Sequence, residues 1–380
     1  MTGGTPVFYR ADGFVRAVAA KGLRGSSLEF PEQPLEAPEW RNLWLDVWFN
    51  RVDGLLAAAV YDGDLPTTHK QRDQALTTHA DAMKICLALE ADLLQIASLL
   101  DERGVGYRVL KGPAFAHLDY SDPALRSFGD IDLLVRSEDY DAAVAELTAA
   151  GFERKFKEVR AGFDHRFGKG ACLIGPNGHE LDLHRTFVMG PYGLTLDLDE
   201  VWDSVDRFQI AGRTFDTLDA DQRFLHACYH AALGTIRTRL TPLRDLAGML
   251  QRSVNAVDVD RALELSRRWQ STAVVARAVA LAWDVFALPE DPLARWARNF
   301  SPSARDRRAL RTYLDPGMGY AARSYAALQA VQGFRGKVAF ARALAVPDRD
   351  YGAGRHRNRW RRWQEAARQI VALRRTGSRS

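Results

Sequence analysis

Two aspartates lie at the start of an apolar run, at positions that apolar side chains usually occupy in a buried strand. The run reads Gly129-Asp-Ile-Asp-Leu-Leu-Val135 and has the length and composition of a buried strand. Because successive side chains of a strand alternate between its faces, Asp130 and Asp132 are expected to share one face. Two neighbouring carboxylates repel each other unless a cation lies between them, and hard oxygen ligands suit Mg²⁺. The segment therefore predicts a metal site at the start of a strand.

The charge of the chain is unevenly distributed. The chain has 380 residues, 47% of them hydrophobic, and a formal net charge of +4. Residues 355–380 hold nine arginines against one glutamate, a net charge of +8, which leaves −4 on residues 1–354. Polyanion binding is therefore suggested by the tail alone, which could contact RNA, an acidic partner or a membrane surface.

Several absences favour a cytoplasmic protein. No stretch approaches the roughly 18 consecutive apolar residues that a membrane span needs, and the N-terminus lacks the basic-then-apolar order of a signal peptide. The three cysteines, Cys86, Cys172 and Cys228, lie far apart and form no Cys-x-x-Cys pair. This usage fits a reducing compartment better than a disulfide framework.

Apolar spacing predicts helices and strands in alternation before and after the acidic strand. Apolar residues at steps of three and four indicate a helix over about residues 74–103. A short strand over 107–110 then leads into Lys111-Gly112-Pro113, where proline is tolerated in the first turn of a helix. A further helix follows the acidic strand and runs to Ala149.

A period of two then predicts a hairpin. Its strands are expected over 166–174 and 179–187, joined by a Gly-Pro-Asn-Gly turn. In the second strand Glu180, Asp182 and His184 face the same way, which places another carboxylate on a polar strand face. From about residue 219 the chain is expected to be mainly helical.

Three segments in this order carry a resemblance. They are Leu110-Lys111-Gly112, then Arg126 with the Asp-x-Asp strand, and then Glu180-Leu-Asp-Leu-His184. Together they resemble a little-characterised family of bacterial nucleotidyltransferases, a distant branch of the DNA-polymerase-beta-like superfamily. The resemblance covers about residues 75–255, including a helical stretch that contains Arg244-Asp245-Leu246.

The resemblance implies an α+β fold, with helices packed on a mixed sheet and a large C-terminal helical region. Gly, Pro and turn formers indicate that about the first 40 residues are a loosely packed arm. We therefore divide the chain into an N-terminal arm and helical extension (1–74) and a nucleotidyltransferase core (75–215). A helical domain (216–354) and a basic tail helix (355–380) follow.

The resemblance also implies the catalytic residues. Asp130, Asp132 and Asp182 would bind two Mg²⁺ ions, with Mn²⁺ as an alternative, and Asp182 would help to deprotonate the acceptor. Glu180 lies on the same strand face as Asp182 and is the alternative third carboxylate.

The same comparison implies a set of residues that bind the nucleotide. Lys111 and Arg126 would contact phosphate oxygens, Gly112 would let the backbone approach the triphosphate, and His184 would orient the carboxylates or contact the nucleotide. Each residue also has a purely structural alternative. Lys111 could be a solvated lysine, Arg126 could form an ion pair with Asp122 or Asp130, and His184 could be hydrogen-bonded to a neighbouring acid. Proline after Gly112 departs from the superfamily, which usually has Gly-Ser or Gly-Gly there.

The expected reaction is Mg²⁺-dependent transfer of a nucleoside monophosphate from a nucleoside triphosphate to an acceptor, with release of pyrophosphate. The acceptor stays open among a small molecule, a peptide or protein, and RNA. Two rivals stay open as well: a catalytically silent nucleotide-binding or scaffold protein, and a toxin-like transferase restrained by a partner.

Overall fold

A seven-stranded mixed sheet lies at the centre of the protein. The computed structural model describes residues 13–234, 239–252 and 256–348. Its strands are β1 (Tyr107–Val109), β2 (Ile131–Val135), β3 (Glu153–Arg154), β4 (Gly170–Ile174), β5 (Glu180–His184), β6 (Asp206–Ile210) and β7 (Arg213–Thr217). They are arranged in the order β3-β4-β5-β2-β1-β7-β6.

Strand β2 is the buried centre of this sheet. All five of its residues are buried, between β5, which runs parallel to it, and β1, which runs antiparallel. Strand β1 in turn pairs with β7 in parallel, and the other neighbouring strands are antiparallel. The α+β class with a mixed sheet is thus confirmed, including a long helical region after β7.

Helices surround the sheet and continue beyond it. They are α1 (Gly13–Ala20), α2 (Ala37–Asn50), α3 (Asp53–Tyr61), α4 (His69–Glu102), α5 (Lys111–Asp119), α6 (Tyr140–Ala149), α7 (Asp164–Phe167), α8 (Pro191–Thr195), α9 (Ala220–Leu233), α10 (Leu240–Leu250), α11 (Val259–Arg268), α12 (Thr272–Val285), α13 (Pro292–Asn299), α14 (Ala304–Leu314), α15 (Tyr320–Ala330) and α16 (Phe334–Ala345). None of these helices is long and apolar enough to cross a membrane.

The long helix α4 shows how sequence signals set the elements around the site. Thr68 and Gln71 form a capping box that starts it, a few residues earlier than the apolar spacing predicts. Its buried stripe includes Leu89, Leu93 and Ile96, at the spacing of one helix face. The helix predicted over 74–103 is therefore confirmed.

The predicted start of the first hairpin strand is wrong. The first strand of the hairpin starts at Gly170, because Asp164–Phe167 forms helix α7 instead. Phe163 and Phe167 turn toward Phe340 of α16, with ring centroids 5.7 and 5.3 Å apart, a tertiary contact that a local period cannot reveal.

The described part of the N-terminal arm, from residue 13 onward, is packed more tightly than predicted. In α1, Val15, Val18 and Ala19 are fully buried and belong to the main hydrophobic core, which extends from there through the sheet to α13. A small second core lies under α15 and α16. The proposed division into domains stays a prediction, and the basic tail at 355–380 lies outside the described residues.

Candidate active site

The parallel pairing of β2 and β5 brings two carboxylates together. Asp132 stands directly opposite Asp182, and Leu134 opposite His184. The His184 ring reaches diagonally across, so that Nε2 lies 2.8 Å from Asp132 Oδ1 and 3.8 Å from Asp182 Oδ2. Residues from distant parts of the sequence thus form one polar cluster on one face of the sheet.

Lys111 joins this cluster from the end of β1. The backbone N–H of Leu110 donates to the carbonyl of Asp132 at 2.9 Å, which places the next side chain beside the acid. Lys111 Nζ lies 2.8 Å from Asp132 Oδ1. Gly112 then adopts φ 45° and ψ −118°, near the first central position of a type II′ turn, where residues with a Cβ are rare.

Charge compensation keeps Asp132 ionised although its side chain is only 2% exposed. Burial pushes the pKa of this carboxyl upward, but Lys111 and the His184 hydrogen bond outweigh burial and hold the pKa well below its usual value. Burial lowers the pKa of Lys111 in the same way, and Asp132 and Asp130 more than restore it, so that the ammonium stays charged.

His184 is neutral at physiological pH. Burial, reinforced by the positive charge of Lys169, lowers its pKa below the usual value. One ring nitrogen, Nδ1, faces the Thr186 carbonyl oxygen at 3.3 Å, and the other, Nε2, makes the shorter contact with Asp132. We therefore assign the single ring proton to Nε2, which donates it to the carboxylate.

Each of the three predicted carboxylates has a basic partner. Besides the pair formed by Lys111, Asp182 Oδ2 lies 3.4 Å from Lys169 Nζ, and Asp130 Oδ1 lies 3.6 Å from Arg51 Nη1. Neither Lys169 nor Arg51 was among the residues predicted from the sequence. Lys169 immediately precedes β4, whereas nothing local marks Arg51 as a neighbour of the site.

Asp130 occupies a different environment from its predicted partner. Strand β2 begins one residue later, and the Asp130 side chain is 38% exposed. Arg51 reaches it from the C-terminal end of α2 and lies against Gly129, where a Cβ would come within 2.7 Å of Nη2. Gly129 thereby makes room for the guanidinium beside the acid.

The donor atoms in the cluster fit a divalent cation. One ligand atom each from Asp132, Asp182 and His184 lie within 4.8 Å of one another. The two carboxylate oxygens suit Mg²⁺ or Mn²⁺, and the imidazole nitrogen would join them as a ligand only after losing the Nε2 proton assigned above. Asp130 does not belong to this set among the described residues.

A second set of donors shares one of these acids. Cys172, Glu180 and Asp182 also place ligand atoms within 4.8 Å of one another. Glu180 is held by Lys155 and accepts a bond from Cys172 Sγ at 3.0 Å. The strand register pairs Asp182, not Glu180, with Asp132.

Comparison with known proteins assigns the chain to a family. A family model described as an uncharacterised nucleotidyltransferase matches residues 36–287. The chain belongs to this nucleotidyltransferase family. The matched region is longer than the 75–255 span of the sequence resemblance and includes Arg51.

The solved structures add little to the family assignment. One similar structure is an antigenic nucleotidyltransferase-like protein from Paracoccidioides brasiliensis, at 14% identity and a TM-score of 0.27. The similarity covers 50% of this chain and 92% of that chain. The TM-score is too low to support a conclusion about this chain. A search of curated proteins found no match.

Arg126 lies near the cluster, but its guanidinium group binds a carboxylate on α10. Its Nε and Nη2 donate to Asp245 Oδ1 and Oδ2, each at 2.9 Å, in a buried bidentate pair. Tyr120 also donates to Asp245 at 2.9 Å, and Nη1 lies 3.5 Å from the Gly112 carbonyl. Arg126 therefore ties α10 to the loop before β2, and its predicted phosphate contact stays a prediction.

This tie makes a stability prediction. Replacing Arg126 with Met should lower the free energy of unfolding by about 3–5 kcal/mol, because it leaves the Asp245 carboxylate buried without its partner. The double change Arg126→Met/Asp245→Leu should cost less than the two single changes added together. Urea unfolding followed by circular dichroism measures all three variants.

An exposed pair provides the control. Arg207→Met removes a surface contact with Asp216 and should cost under about 1 kcal/mol. Equal losses for Arg126→Met and Arg207→Met would contradict the structural role.

Cys172 offers a chemical readout of cation binding. Burial, the hydrogen bond to Glu180 and the charge of Asp182 raise the pKa of this thiol to about 12, whereas Cys86 and Cys228 are buried. A cation held by Asp182 would offset the negative charge and lower the thiol pKa. Because the thiolate is the reactive form, a fall of one unit speeds alkylation roughly tenfold.

We therefore expect millimolar Mg²⁺ to accelerate iodoacetamide alkylation of Cys172 at mildly alkaline pH, as measured by peptide mass spectrometry. In Asp182→Asn the rate without Mg²⁺ should rise and the response to Mg²⁺ should vanish. An identical rate with and without Mg²⁺ in the unaltered protein would count against a cation at Asp182.

Proposed function

We propose that the protein transfers a nucleoside monophosphate from a nucleoside triphosphate to an acceptor, releasing pyrophosphate, in a Mg²⁺-dependent reaction. One observation carries the proposal. Asp132 and Asp182 stand side by side, with Lys111 against Asp132, in a chain that belongs to a nucleotidyltransferase family. This arrangement combines carboxylates that can bind a metal with a lysine that can bind phosphate, on adjacent strands of one sheet.

The proposed metal ligands are Asp132 and Asp182. Asp130 lies outside the clustered donor set and pairs with Arg51, so it would act as a third ligand only after releasing Arg51. A divalent cation bound there would neutralise charge that develops on the transferred and leaving phosphate groups. His184 would act as a positioning residue, because its Nε2–H donates to Asp132 and fixes the orientation of that carboxylate.

The basic side chains would exchange partners when substrate binds. Without substrate, Lys111, Lys169 and Arg51 each neutralise one carboxylate. A triphosphate arriving with its cations supplies new anions for the basic groups and new positive charge for the acids. The three basic groups are then free to contact phosphate oxygens, Arg51 as a fork and the lysines as point charges.

Backbone amides at the start of α5 would add to this phosphate grip. The first N–H groups of a helix lack partners within the helix and point toward an anion. Gly112 is not helical, so its amide belongs to the turn beside Lys111 and not to the helix itself, and Pro113 has no amide N–H. We infer that Arg51, at the end of α2, compensates for this missing donor.

Asp182 is the better candidate to accept the proton of the acceptor. Its side chain is 25% exposed, whereas that of Asp132 is 2% exposed and already receives bonds from Lys111 and His184. A group that removes a proton must be reachable by the acceptor hydroxyl. Solvent access therefore separates the roles of the two acids.

A catalytically silent nucleotide-binding protein is the second candidate. The same three ion pairs favour it, because each acid is neutralised without any metal. The proline after Gly112 also removes a donor from the phosphate loop. In this case nucleotide would bind to the basic groups and no transfer would follow.

Labelled nucleotides distinguish these functions. Purified protein is incubated with cell extract and ATP, GTP, CTP or UTP labelled at the α-phosphate, and labelled products are identified by mass spectrometry. We expect one nucleotide to label an acceptor, and Asp132→Asn or Asp182→Asn to reduce labelling by at least about 100-fold, through loss of transition-state charge stabilisation.

Asp216→Asn is the matched control, because Asp216 is an exposed aspartate on β7 that pairs with Arg207, and it should label normally. Circular dichroism checks that each variant is folded. Nucleotide binding without any label transfer by the unaltered protein would support the silent candidate. Labelling that persists in Asp182→Asn would contradict the proposed site.

A further inference from the structure

A groove lies between α16 and the segment that leads into β4. Its cavity volume is about 400 Å³, and its floor includes Ala161, Gly162, Ala339 and Ala343. Phe340 packs against the rings of Phe163 and Phe167, and the N–H of Asp348 donates to the carbonyl of Val159 at 2.9 Å. The groove therefore lies between two segments, α16 and the residues before β4, that ring packing and a backbone hydrogen bond hold together.

Arginines surround this groove without acidic partners. The four are Arg160, Arg166, Arg335 and Arg342. No acid is among the lining residues, although the Asp348 carboxylate accepts a hydrogen bond from the N–H of Ala161, a lining residue, at 3.0 Å. Over the described part of the chain none of the four makes an ion pair with a carboxylate, and Arg160 donates only to the carbonyl of Val346, at 3.2 Å. Most other basic groups around the site are paired, so this surface has an excess of positive charge.

The excess extends along the adjoining helices. Residues 316–347 contain Arg323, Lys337 and two of the groove arginines, and no aspartate or glutamate. The tail that follows adds a net charge of +8 in sequence. A ligand with several negative charges is therefore favoured over a neutral one.

An aromatic ring is exposed at the end of the same groove. Phe334 is 82% exposed and stands next to Arg335 at the start of α16, and Val338, one helical turn later, is 49% exposed. Exposed rings among arginines are the elements with which proteins bind single strands, because bases stack on the ring and phosphates contact the guanidinium groups.

We infer that this groove, lined by α16 and residues 160–167, binds single-stranded RNA. The unpaired arginines match a phosphate backbone, and the free Phe334 ring matches an unstacked base. A duplex offers no free base face, and most unpaired strands in a cell are RNA. An acidic peptide would satisfy the arginines but leave the protruding ring without a stacking partner.

The position of the groove relates it to the candidate active site. Phe167 precedes Lys169 by two residues, and Lys169 contacts Asp182. The segment that lines the groove therefore continues within two residues into a side chain that contacts the carboxylate cluster. The binding itself does not depend on the proposed reaction, so it is tested without nucleoside triphosphate or Mg²⁺.

The test is fluorescence anisotropy of the full-length protein with a labelled oligouridylate of about 12 nucleotides, a length in the range of single-strand sites. Arg335→Gln/Arg342→Gln should weaken binding roughly tenfold and reduce the slope of log K against log salt by about 1.4, as expected for two lost phosphate contacts. Phe334→Ala should weaken binding roughly tenfold and leave the slope unchanged.

The control variant is Arg295→Gln/Arg298→Gln on α13, which removes the same charge from arginines that pair with Glu290 and Asp284. It should bind RNA like the unaltered protein. All five substituted positions are on the surface or at its edge, so folding should be preserved, and circular dichroism checks it.

Photo-crosslinking with a 4-thiouridine oligomer locates the contact. We expect crosslinked peptides from residues 160–167 and α16. Crosslinks confined to residues 355–380, or equal affinities for the groove and control variants, would overturn the inference. So would loss of binding to anionic phosphatidylglycerol vesicles, and not to RNA, in the groove variants, because that result would identify a membrane-binding surface.

Discussion

The site depends on the parallel pairing of β2 with β5. A shift of one residue in this register would turn Asp182 and His184 toward the opposite face and place leucines beside Asp132. The register is fixed from the other side of the sheet, where Leu133, Leu181 and Leu183 are buried in the main core. Packing of apolar side chains therefore determines where the polar cluster forms, and disruption of that core would separate the carboxylates.

Burial of charge is tolerated here because opposite charges are distributed among separate elements. Asp132 draws its partners from β5 and from the start of α5, whereas Asp130 draws Arg51 from the end of α2. Each ion pair offsets the cost of removing a carboxylate from water. It also joins one further element to the centre of the sheet. The charges that a nucleotide and its cation would redistribute are thus the ones that hold these elements together without substrate.

Local patterns predict the elements better than their partners. The strand that carries Asp132, the chain reversal after Lys111 and the strand with Asp182 follow from periodicity and turn residues, whereas the α+β class was implied by the family resemblance. Asp130 was expected within the same strand but precedes it. The pairing of Arg126 with Asp245 does not, because it joins residues 119 positions apart and the local alternatives were nearer acids. Arg51 was missed for the same reason. Strands β6 and β7 were also missed, although Thr217 pairs with Val109 beside the site. Such contacts are decided by tertiary packing, which a local window of sequence does not contain.

The most direct measurement is nucleotide binding with and without Mg²⁺, using a nucleoside triphosphate analogue that cannot be cleaved at the α-phosphate and isothermal titration calorimetry. If Asp132 and Asp182 hold a cation that exchanges charge with the basic groups, the unaltered protein binds the analogue tightly only with Mg²⁺. Asp182→Asn then loses the Mg²⁺ dependence, and Lys111→Met weakens binding. Equal affinity with and without Mg²⁺, unchanged in Asp182→Asn, would contradict a cation site at the paired carboxylates.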